Sequence, residues 1–104
     1  MPTRLEVLEK LVTKGGGNDP FPYYGLALEY RSAARNEEAL RTFADLRAKF
    51  PEYVPQYLMA GQICESLGRR TEAREWFEAG IIVARNTRDT HALGELESAL
   101  AALG

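Results

Sequence analysis

Apolar residues recur along this chain at spacings of three and four, the period of a buried helix face. In residues 3–13, Leu5, Leu8 and Val12 mark one such face, and Thr3 with Glu6 has the form of a capping box at its start. Gly15, Gly16 and Gly17 then predict a stop and a flexible joint. The next helix is expected from Asp19–Pro22, where a capping residue is followed by prolines suited to a first turn, to about Ala34. Its inward residues are Tyr23, Leu26, Ala27 and Tyr30. After a turn at Arg35 and Asn36, with Asn36 as the expected cap, a third helix turns Ala39, Leu40, Phe43 and Leu46 inward and ends before Pro51.

The pattern then returns. Residues 55–67 carry Tyr57, Ala60, Gly61 and Cys64 on one face, and Leu67-Gly68 closes the helix. Thr71 is the expected cap of the following helix, with Ala73, Phe77, Gly80 and Ile81 inward. Its end, Ile81-Ile82-Val83-Ala84, is apolar enough to require cover. Residues 89–103 supply a covering helix: Asp89 or Thr90 caps it, and Leu93, Leu96, Leu100 and Leu103 form the stripe. Superposing the two central hairpins gives a period of 34 residues. Tyr23 answers Tyr57, Arg35 answers Arg69, Glu38 answers Glu72, Ala39 answers Ala73 and Phe43 answers Phe77. A fixed period of this kind marks a stacked helical-hairpin solenoid, an all-α architecture that offers an extended surface and rarely encloses a site.

Composition narrows the partners. The 104 residues fit one domain, and 15 acidic against 13 basic residues are mixed along the chain. Without a basic block to track phosphates, nucleic acid is not expected as a partner. No apolar run is long enough to span a bilayer, so no membrane association is expected. Residues 1–14 lack a signal-peptide core, and one lone cysteine, Cys64, fits a reducing compartment; the cytoplasm is the expected location.

Chemistry-bearing residues are sparse. No phosphate-binding loop, nucleophile–base pair or ligand cluster stands out, so neither catalysis nor a cofactor or metal is expected. His91 is the one histidine and reads as a surface residue near a helix start. Cys64 occupies a packing position and reads as buried and inert. Trp76 either completes the core beneath the last helix or serves self-association.

These residues resemble the tetratricopeptide repeat, with its pattern W-x2-L-G-x2-Y, then A-x3-F, then P. The first copy, 20–53, places Tyr23, Leu26, Ala27, Tyr30, Ala39, Phe43 and Pro51 in those slots. The second, 54–87, matches at Tyr57, Gly61, Ala73 and Phe77, and departs at Cys64 and Arg85. With Arg85 in place of proline, the last repeated helix is expected to run on. The resemblance implies a right-handed solenoid in a small stand-alone protein: an N-terminal helix (1–14), a Gly-rich linker (15–19), two repeats and a capping helix (88–104).

The resemblance also implies that the first helix of each hairpin lines a concave groove. Its positions here are Phe21, Tyr24, Leu28 and Arg31, then Leu58, Gln62, Glu65 and Ser66. Tyr24, Leu28 and Arg31 share the spacing i, i+4, i+7 with Leu58, Gln62 and Glu65, so each trio lies on one helix face. The face is half apolar and carries one charge of each sign, which suits a docked helix or extended segment. A competing expectation is that Tyr24, Leu28 and Leu58 pack under the N-terminal helix, or that this helix lies in the groove as a tethered ligand. Chaperone-binding members hold a C-terminal carboxylate with Lys and Asn; Tyr24, Leu28 and Met59 stand at those positions, so that clamp is absent. The expected function is protein–protein interaction through the groove, and the alternative is a homodimer that uses the apolar surface, with Trp76 as its candidate contact.

Overall fold

The computed structural model describes residues 1–15 and 17–104, so the middle glycine of the linker, Gly16, lies outside the described residues. Among these there are six helices and no strand: α1 (Arg4–Thr13), α2 (Phe21–Ser32), α3 (Asn36–Lys49), α4 (Pro55–Ser66), α5 (Arg70–Thr87) and α6 (Thr90–Leu103). They pack as two units, α1–α3 within residues 1–50 and α4–α6 within residues 51–104.

In the first unit α2 packs against both α1 and α3. Tyr23, Leu26, Ala27, Tyr30, Ala39, Phe43 and Leu46 form its core. Thr42, also buried, donates its hydroxyl to the Glu38 carbonyl at 2.9 Å and so enters the apolar face without an unmet donor. The capping box at Thr3 is present, with Glu6 N–H donating to the Thr3 hydroxyl at 3.2 Å. Helix α1 lies along Gly25, Glu29 and Tyr30: Leu8 would touch a Cβ on Gly25, Arg4 pairs with Glu29 at 2.8 Å, and the Tyr30 hydroxyl donates to Glu9 at 2.6 Å. These contacts fasten α1 on the side of α2 that carries Gly25 and Glu29. The end of α3 is tied back to the linker, because Lys49 Nζ donates to the Gly15 carbonyl at 2.8 Å and Tyr23 donates to the same oxygen at 3.1 Å.

The second unit repeats this logic with a covering helix at its other side. Helix α5 packs on α4 and α6, and α6 also reaches α4. Gly61 and Gly80 allow the approach: a Cβ on Gly61 would sit 2.3 Å from the Phe77 ring, and one on Gly80 would sit 2.5 Å from Tyr57. Tyr57 donates its hydroxyl to the Pro51 carbonyl, so each repeat tyrosine fastens the loop that precedes its own helix. Arg70 and Arg74 hold the carbonyls of Leu103 and Gly104 at the end of α6. Helix α5 has 18 residues against 14 in α3, the extension expected where proline is missing.

Three helix ends share one turn. Ala34, Gly68 and Arg88 adopt φ of 60°, 76° and 59°, and the next N–H in each case donates back five residues, from Arg35 to Tyr30, Arg69 to Cys64 and Asp89 to Ala84. This is the Schellman closure of α2, α4 and α5. It corrects two expected caps, since Asn36 and Thr71 are already helical and Arg35 and Arg69 stand at the N-cap positions. Arg35 instead grips Glu38, with Nε donating at 2.7 Å, and holds that carboxyl below the usual range. Asp89 caps α6 as expected, accepting from Ala92 N–H at 3.0 Å.

Candidate functional site

The first face is built on α2. Phe21 stands at its start, 65% exposed, where Asp19 accepts the Phe21 N–H at 3.0 Å and fixes the entry of the chain. Tyr24 and Leu28 follow along the helix and are half-buried, and Arg31 is exposed. The Tyr24 ring meets Phe43 of α3 edge-on, with centroids 6.2 Å apart, so the buried Phe43 supports it from below. Burial raises the Tyr24 phenol above its ordinary pKa, and the nearby Arg31 charge partly offsets this. The face thus offers an aromatic ring, a partly covered leucine and a guanidinium in one row.

The second face is built on α4. Leu58 is half-buried and Gln62 exposed, and both line a cleft of about 740 Å³ against α6. The opposite wall is Thr90, His91, Gly94, Glu95, Ser98 and Ala99. Besides His91 and Glu95, that wall carries the small residues Gly94, Ser98 and Ala99, and nothing lies within 4 Å of a Cβ built on Gly94. His91 Nε2 and Glu95 form a 3.3 Å pair at its lip. Glu65, one turn beyond Gln62, is exposed but outside the lining, and the Ser66 hydroxyl donates to the Ile63 carbonyl of its own helix. The leucine stripe of α6 masks this wall in the sequence, where its signal is the set Gly94, Ser98 and Ala99 at i, i+4 and i+5.

Other candidates take plainer places. Cys64 is fully buried in α4. Trp76 is 9% exposed, with its ring 5.8 Å from that of Tyr57. The large exposed apolar side chain of α5 is Ile82. Among the described residues no three His, Cys, Asp or Glu side chains are grouped to hold a metal ion, and no helix is long and apolar enough to cross a membrane.

No protein-family model matches the chain, and no curated protein compared with it is similar. Solved structures are. A tetratricopeptide repeat domain protein of Salinibacter ruber, determined in solution, is 34% identical over 82% of this chain and 86% of its own, with a TM-score of 0.78. A crystal structure of a tetratricopeptide repeat domain protein from the same organism is also 34% identical, covering 82% of this chain and 96% of that one, at 0.77. A Bordetella parapertussis protein shares the fold at 23% identity and a TM-score of 0.81, over 99% of this chain and 89% of its own. The 34-residue period, the small residues that let the paired helices touch and the Salinibacter likeness agree: this chain belongs to the tetratricopeptide repeat family.

Proposed function

We propose that this protein is an interaction module that takes a peptide or short helix of a partner protein on the faces carried by α2 and α4. Phe21, Tyr24, Leu28 and Arg31 supply the first face, and Leu58, Gln62 and Glu65 the second. The observation that carries the reading is the cleft beside α4, where Leu58 forms an apolar floor, Gln62 adds an amide, and small residues of α6 leave room for an incoming side chain. Such a mix favours a ligand that buries a few apolar side chains and fixes its register by polar contacts. The half-exposed aromatic and leucine positions would supply most of the affinity, and Arg31 and Glu65 would select against like-charged neighbours.

The test uses peptides selected from a displayed random library on the intact protein. Tyr24→Glu and Leu58→Glu are each expected to weaken the selected peptides on the order of a hundredfold, as loss of a central apolar anchor does. Helicity by circular dichroism should be retained, because both side chains are only half-buried and neither belongs to the fully buried core of its unit. Full retention of binding in the double variant would refute the assignment.

A further inference from the structure

Helix α5 carries a second surface on the side away from α4. Ile82 is 59% exposed and borders a groove of about 520 Å³ between α5 and α6, lined by Ile81, Ile82, Leu100 and Ala101. Glu78, Arg85 and Glu97 form the charged rim, with Arg85 and Glu97 paired at 3.5 Å. One exposed isoleucine is unremarkable by itself. The order of the charges beside it is informative. Glu78, Ile82 and Arg85 share a face at i, i+4, i+7, so an acid and a base flank the isoleucine about one turn away on either side.

That order is self-complementary. Laid antiparallel on a copy of itself, with a two-fold axis between Ile81 and Ile82, α5 brings Glu78 opposite the partner's Arg85 and Arg85 opposite the partner's Glu78. A parallel arrangement would oppose like charges. The same patch supplies both a projecting Ile82 and an apolar groove to receive one, the requirement of an isologous contact. The helix dipole does not account for Glu78, which lies mid-helix, beyond the first turn where an acid gains from it. The pattern belongs to the second repeat alone, because the equivalent positions of the first are Ala44, Arg47, Ala48 and Pro51.

We infer that this α5–α6 surface is the contact of a two-fold homodimer, with Ile82 at its centre and two reciprocal Glu78–Arg85 pairs at its edges. It shares no residue with the faces on α2 and α4, so either assignment can fail without the other.

The test is sedimentation equilibrium of the intact chain, at low salt, up to about 1 mM. The wild type is expected to form a reversible dimer. Ile82→Glu should raise the dissociation constant on the order of a hundredfold with helicity retained. Glu78→Arg and Arg85→Glu should each weaken self-association about tenfold, since both symmetric contacts become repulsive. Mixing these two variants restores opposite charges at both contacts, so the mixture should associate more tightly than either variant alone. A wild type that stays monomeric throughout would overturn the proposal. So would a dimer indifferent to Ile82→Glu, or a mixture no tighter than its components.

Discussion

Two glycines on neighbouring helices show how differently one residue type works in this chain. Gly61 is buried, and a methyl group there would fall 2.3 Å from the Phe77 ring, which is itself fully buried. Gly94 is exposed in α6, with nothing within 4 Å of an added Cβ. Gly61→Ala is therefore expected to destabilise the protein by about 1–3 kcal/mol through overpacking. Gly94→Ala should instead stabilise it by about 0.5–1 kcal/mol, because alanine loses less backbone entropy in a helix. Chemical denaturation of both variants checks this; equal effects of the same sign would contradict the packing described. Gly61 was legible in the sequence, as it occupies the small-residue slot of a repeat. The left-handed turn at Ala34 was not, because an alanine there carries none of the signal that Gly68 gives at the equivalent position.

At the scale of elements, helix ends were read less well than helix faces. Thr3 and Asp89 cap as their sequence predicts. Asn36 and Thr71 do not, because the Schellman turns that close α2 and α4 feed directly into the next helix and place arginines at the N-caps. A good capping residue one or two positions late is itself helical, so its side chain cannot fold back over the free first-turn N–H groups as an N-cap does. The placement of α1 was also open in the sequence, since an amphipathic stripe fixes which face is buried but not against what. The structure places it on α2 through a long-range bond, the Tyr30 hydroxyl donating to the Glu9 carboxylate. That bond, with burial, raises the Tyr30 phenol to about 12 from an ordinary 10.0. A phenol raised in the folded state stabilises it below the unfolded value, so this contribution is complete below pH 10 and is lost as pH climbs through 12. Glu9→Gln should bring the Tyr30 titration, followed by its ring signals in NMR, down toward 10.0. An unchanged titration would mean that α1 is not held in this way.

For the molecule as a whole, repetition explains why so much could be read beforehand. A 34-residue period reports the same packing problem solved twice, so Tyr23 and Tyr57, Ala39 and Ala73, and Phe43 and Phe77 corroborate one another. Features without a counterpart are where the sequence was hardest to read. The cleft beside α4 depends on which residues α6 turns toward Leu58 and Gln62, a matter of docking angle rather than periodicity. The Ile82 surface arises because Ile81 and Ala84 are buried while Ile82 between them is not, so the apolar end of α5 is only partly covered. The most direct measurement of the working surface is NMR mapping of the intact protein with a peptide selected on it. Shifts centred on Tyr24, Leu28, Leu58 and Gln62 are the predicted result. Shifts confined to the Glu78–Arg85 side of α5, with those four residues unmoved, would contradict the proposed function.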